Sequence, residues 1–281
     1  EENNYRPNPI AKGLTESTWS TWEPFDGVFD FTHLHRMLDA ASKYDIKVII
    51  GTPTYAIPSW LANKYPKILA FNKNGQEIYG HRQLTDITNP DYLRYAERII
   101  RKLMEEVKDH PQVIGYQLDN ETRSAGAASP ETQALFVAQM KEKYPDIKEF
   151  NREFGLDYWS NRIDNWDDFP DVRGTINGSL SAAYKRFLRD VITNFLAWQS
   201  EIVREYMRKG QFITHNFDYS WPGYSFGIQP EVNQFDAAKC MDIAGVDIYH
   251  LSQDQLDGAT IAFCGAVGRS LKKSNYLVLE T

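Results

Sequence analysis

Five short apolar runs, rich in β-branched residues and each carrying polar groups at its C-terminal end, constrain this chain most. They are IKVIIGTP (46–53), VIGYQLDNE (113–121), QFITHNF (211–217), IAGVDIYH (243–250) and NYLVLE (275–280). Runs of this length, stopped by Gly, Pro or polar residues, predict strands buried on both faces. Helical patterns lie between them. Tyr92, Tyr95, Ala96, Ile99, Ile100, Leu103 and Val107 keep the i, i+3, i+4, i+7 spacing, with Pro90 and Asp91 at the start. A second long helix is predicted from Ala182 to Met207, with Gly210 as its C-cap. Strand and helix in alternation predict right-handed βαβ units and a parallel sheet. No repeat, low-complexity segment or linker divides residues 1–281, so one domain is expected.

Composition excludes several classes. The chain has 281 residues and a formal charge of -7, from 31 basic and 38 acidic side chains. No run of five or more Lys/Arg occurs, which argues against nucleic acid as a partner. No apolar run approaches the roughly 18 residues of a membrane helix. The opening EENNYRPNPI lacks the basic-then-apolar layout of a signal peptide. Cys240 and Cys264 are the only cysteines. Two unclustered cysteines make neither a disulfide scaffold nor a structural zinc site, and reduced thiols are expected.

The polar ends of the runs carry the functional signal. VIGYQLDNE ends in Asp119, Asn120 and Glu121, and NYLVLE ends in Glu280. GVDIYH brings Tyr249 and His250, FITHNF brings His215 and Asn216, and GTPT brings Thr52 and Thr54. Burying carboxylates at strand ends is costly unless they have partners or chemistry. In a (β/α) barrel the C-terminal strand ends converge on one pocket. A lone terminal glutamate is most often a capping partner or a solvated loop charge. Two on separate strands suggest the paired carboxylates of glycoside hydrolysis.

Several ordered stretches sharpen this. STWSTWEPFDGVFDFTHLHRMLDAA, GTPTYAIPSWLANKYPKIL, YQLDNE, FNREFGLDYWSNRIDNWDDF and LVLET resemble the catalytic barrel of glycoside hydrolase family 42, the β-galactosidases, from about Glu16 to Thr281. The resemblance implies an α/β fold of the (β/α)8 TIM-barrel type and a retaining mechanism. Strand two would end at Leu14–Glu16, and strands three to seven would be the five runs above. Glu121 is then the acid/base, Glu280 the nucleophile, and Asn120 a partner of the sugar 2-hydroxyl. Arg82 resembles the arginine that binds galactose and braces the nucleophile, and Tyr249 is placed to hydrogen-bond Glu280. Trp19, Trp22, Trp159 and Trp166 are candidates for stacking on sugar, although core filling is the better reading of each alone.

The implied substrate is a galactoside oligosaccharide, the implied setting the cytoplasm of a bacterium, and the family's trimers leave a homo-oligomer open. Alternatives are another retaining β-glycosidase, such as a β-glucosidase or β-glycanase, or a non-catalytic carbohydrate-binding or inactive fragment. Three departures from the family pattern stand out. RSAGAASPETQALF lacks the cysteine cluster with which many members bind zinc, so neither metal nor cofactor is expected. EENNYRPNPIAKGLTE is too short for a strand and helix before strand two. The chain ends one residue after Glu280, so strand eight and the two C-terminal domains are not expected in it.

Overall fold

The computed structural model describes residues 10–11, 19–174, 177–220, 223–224, 227–250, 253–256 and 258–281. In chain order the elements are β1 (Ile10–Ala11), α1 (Trp19–Trp22), α2 (Thr32–Lys43), β2 (Lys47–Gly51) and α3 (Ser59–Lys64). A small hairpin, β3 (Phe71–Asn72) with β4 (Gly75–Gln76), precedes α4 (Pro90–Val107), β5 (Val113–Gln117), α5 (Pro130–Lys143) and α6 (Ile147–Phe154). Then come α7 (Gly178–Arg204), β6 (Phe212–Thr214), β7 (Asn216–Tyr219), α8 (Gln234–Ala237), β8 (Ala244–Ile248), α9 (Gly258–Lys272) and β9 (Tyr276–Glu280).

The sheet is parallel and follows chain order. One part runs β1-β2-β5-β6 and the other β7-β8-β9. Ile213 pairs with Tyr116, whereas Phe217 pairs with Val246. The run expected as one strand over 211–217 is therefore two segments, broken at His215 and reaching Tyr219. The His215 ring bonds the Leu118 carbonyl at 2.7 Å. At this break the chain passes from one neighbour to the next, so both parts form one curved wall. Gly245 makes the close approach possible: a Cβ there would lie 2.5 Å from the His215 carbonyl oxygen and from the Thr214 hydroxyl.

Local chemistry explains the main helices. The Asn89 side chain caps α4 by accepting from the Asp91 and Tyr92 amides, and Pro90 supplies a φ already suited to a first turn. The stripe from Tyr92 to Val107 is buried against β2, β5 and α7, as its spacing requires. Asn177 caps α7, which starts at Gly178 and stops at Arg204. Gly210, with φ 93°, is not its C-cap but lies in the turn before β6. A second apolar cluster, including Phe136, Phe150, Phe154 and Phe187, joins α5, α6 and the first half of α7.

The strand end expected at Leu14–Glu16 lies outside the described residues. Ile10 and Ala11 pair in parallel with Lys47 and Val48, so the N-terminal stretch supplies the strand beside β2. Trp19 and Trp22 are fully buried in the main core, which excludes them as stacking surfaces. Trp166 packs on Phe150 with ring centroids 4.8 Å apart, whereas Trp159 is 81% exposed and stacked on Tyr158. Cys240 and Cys264 are free thiols.

Candidate active site

Polar groups just after β5, at the start of β7, within β8 and at the end of β9 meet at one site. The β5 ladder ends at Gln117, and the chain then leaves extended geometry. Asp119 and Glu121 take φ values of 47° and 43°, in the left-handed region that non-glycine residues rarely adopt. These turns bring Glu121 inward as a buried carboxylate. Its neighbour Asp119 is tied down by strand-end threonines. The Thr54 hydroxyl donates to Asp119 Oδ1 at 2.6 Å, the Thr122 hydroxyl donates to Oδ2 at 2.5 Å, and the Asp119 amide donates to Thr52 Oγ1 at 2.6 Å. Thr52 and Thr54 thus hold the β5 exit.

One carboxylate oxygen from each of Glu121, Asp247 and Glu280 lies within 4.8 Å of the other two. Asn216, fully buried at the start of β7, links them. Its Oδ1 accepts from the Glu121 amide at 3.1 Å and from Gln117 Nε2 at 3.0 Å. Its Nδ2 lies 2.6 Å from Asp247 Oδ2, 3.1 Å from Asn120 Oδ1 and 3.2 Å from Glu280 Oε1, donating toward all three. The Tyr249 hydroxyl donates to the other Glu280 oxygen. Asn120 is 4% exposed, and its Nδ2 has no hydrogen-bond partner among the described residues. A buried donor left without a protein partner is one that a ligand oxygen would satisfy.

Charge around Glu121 is mixed. Burial raises its pKa first, and the Asp218 and Glu280 carboxylates add to the rise, while Arg82 and Arg123 oppose it. The net direction is upward. Arg82 Nη2 contacts Glu121 Oε2 at 2.7 Å, with the arginine side chain 52% exposed. Arg82 therefore pairs with the expected acid/base and not, as anticipated, with the nucleophile. The residue after it, Gln83, also bonds the β5 exit, at the Asn120 and Glu121 carbonyls. Burial, together with the bond to Glu280, drives the Tyr249 pKa far upward, so it stays a donor.

The structure thus brings Glu121, Glu280, Asn120, Arg82 and Tyr249 together. Asp247 and Gln117 were missed. Each interrupts an apolar run, in GVDIYH and in YQLD, and a charge or amide inside a strand buried on both faces was the available signal. Arg123, which bonds Asp218 at 3.2 Å and the Tyr224 hydroxyl at 2.8 Å, had no such marker.

Comparison with known proteins bears on this arrangement. The family model described as beta-galactosidase, of glycoside hydrolase family 42, matches residues 10–281. Beta-galactosidase BgaA of Clostridium cellulovorans is 28% identical over 277 residues, covering 95% of this chain and 40% of that protein. Beta-galactosidase BgaA of Thermus sp. is 31% identical over 243 residues, covering 84% of this chain and 36% of that protein. The solved structure of Gan42B, a GH42 beta-galactosidase, superposes with a TM-score of 0.85 at 27% identity, over 94% of this chain and 39% of that one. The chain thus spans about 40% of the length of curated relatives such as the Clostridium enzyme. The likeness shows a TIM-barrel-like α/β fold. No helix among the described residues is long and apolar enough to cross a membrane. With the match running from β1 to the last residue, the chain belongs to the glycoside hydrolase family 42 beta-galactosidases.

Proposed function

We propose that this protein is a retaining beta-galactosidase that releases terminal β-galactosyl residues from oligosaccharides by double displacement. The observation that carries the reading is the meeting of Glu121 and Glu280, from two different strand ends, with carboxylate oxygens within 4.8 Å. Retaining enzymes hold their carboxyl groups about 5–5.5 Å apart, whereas inverting ones leave roughly 6.5–9.5 Å for a water. The short separation supports direct attack by one carboxylate. In this reading the six parallel strand positions are strands two to seven of an eight-stranded barrel, within one catalytic domain.

Glu280 is the nucleophile. Its oxygen forms a bond to the anomeric carbon while the glycosidic C–O bond breaks toward the leaving oxygen, which takes the Glu121 proton. The raised Glu121 pKa keeps that proton available at higher pH than an ordinary glutamate would. Once the proton has gone, Arg82 stabilises the carboxylate left behind. Glu121 then takes a proton from water, whose oxygen attacks the anomeric carbon and frees Glu280. Tyr249 and Asn216 donate to Glu280 and hold it for in-line attack. The spare Asn120 Nδ2 is available to the 2-hydroxyl of the sugar. The absence of a cysteine cluster from 123–136 leads us to propose that no zinc takes part.

The test separates the two glutamates on one activated substrate, a dinitrophenyl β-galactoside. Glu121→Gln removes proton transfer only, so a glycosyl-enzyme forms and accumulates, giving a pre-steady-state burst. Glu280→Gln removes the nucleophile and gives none. Equal bursts, or a burst from Glu280→Gln alone, would overturn the assignment.

A further inference from the structure

We infer that Gln83 is a positioning residue for the proton donor. This rests on Glu121 being the acid/base and goes beyond that assignment to what holds it. Beyond the β5 ladder the carbonyls of Asn120 and Glu121 have no strand neighbour to bond, because the chain there has turned into left-handed geometry. Gln83 supplies the missing donor. Its Nε2 donates to the Asn120 carbonyl at 2.7 Å and to the Glu121 carbonyl at 2.8 Å. One carboxamide therefore clamps two consecutive peptide groups of the segment that carries both the acid/base and the sugar-binding Asn120.

The clamp is itself anchored. Gln83 itself has φ 62°, a third left-handed residue with Asp119 and Glu121. Its amide donates to the Tyr55 carbonyl at 2.6 Å, just beyond the β2 end. Three residues on, the buried Asp86 fixes the loop, accepting from Thr88 at 2.6 Å and from Thr132 at 2.9 Å, with its own amide on Ile68. Arg82, immediately before Gln83, holds the Glu121 carboxylate. The loop thus grips Glu121 at both ends, backbone through Gln83 and side chain through Arg82. A group that must deliver a proton within hydrogen-bond reach loses rate when its backbone drifts by a fraction of an ångström.

The experiment measures kcat/KM of the whole protein on two β-galactosides, one with a poor alkoxide leaving group and one with a dinitrophenolate. Gln83→Met keeps size and the unfavourable φ but removes both donors. Gln83→Asn keeps a carboxamide and suits the left-handed backbone but is too short to reach. Both should lower kcat/KM on the alkyl substrate by about 10- to 100-fold and on the dinitrophenyl substrate by less than about 3-fold, because only the first needs the proton. Retained turnover of the activated substrate also shows that the variants fold. Equal losses on both substrates, while Glu121→Gln shows the split, would overturn the role of Gln83 alone. Equal losses for Glu121→Gln would overturn the acid/base assignment and with it the role of the clamp.

Discussion

Asp119 shows how a side chain beside the chemistry can set a property of the whole protein. It is fully buried, and burial pushes its pKa up to about 6 against bonds from Thr122 and Thr54 that lower it. The folded state therefore keeps its proton where the unfolded chain, near 3.8, has lost it. The stability this gives is complete below the unfolded value and disappears as pH rises through about 6. At about 1.4 kcal/mol per unit, the change is on the order of 3 kcal/mol. Asp119→Asn has no such dependence. Thermal melts from pH 4 to 7 should show the variant gaining on the parent as pH rises, and parallel curves would sink the idea. Similar logic applies to activity. The alkaline limb of kcat/KM should lie above the ordinary glutamate range, because the Glu121 pKa is raised, and it should vanish in Glu121→Gln. Glu121 and Glu280 were visible in the sequence because each ends an apolar run. Asn216 was visible as a strand-end amide, but its role as the link among Asn120, Asp247 and Glu280 depends on neighbours 31 to 96 residues away.

Among the elements, α4 was the most legible. Its stripe and its start are local properties, and the helix runs from Pro90 to Val107 as the pattern asks. Asn89→Ala removes the acceptor for two orphan amides and should cost about 1 kcal/mol, lowering Tm, while Asn89→Asp should keep most of it. An unchanged melt for Asn89→Ala would show that packing alone sets this terminus. The run 211–217 was less legible. Its period is that of one strand, but the break at His215 follows from the curvature of the wall and from the Leu118 carbonyl that the ring reaches. Trp19 and Trp22 show the same gap: aromatic residues look alike in a sequence whether they stack on sugar or fill a core, and only the packing places these two inside.

At the scale of the molecule, strands differ in how many neighbours support them. β2 and β5 are paired on both sides, whereas β9 pairs only with β8 among the described residues, and Val278 in it is 48% exposed. In hydrogen exchange on the 281-residue chain, the β9 amides should exchange at least about tenfold faster than those of β5, since opening them breaks one ladder and little core. Comparable protection would mean that β9 is supported by contacts beyond the β8 ladder. The α/β class and the two candidate glutamates were legible in the sequence itself, because hydrophobic period, helix capping and polar strand ends are written in neighbouring residues, whereas the strand order was implied only by the family resemblance. The tertiary structure alone decided that Arg82 meets Glu121 and not Glu280, that Asp247 joins the pair, and that Gln83 clamps the β5 exit. Those contacts join residues far apart in the chain, where angles and distances are set by how the strands curve around a common core.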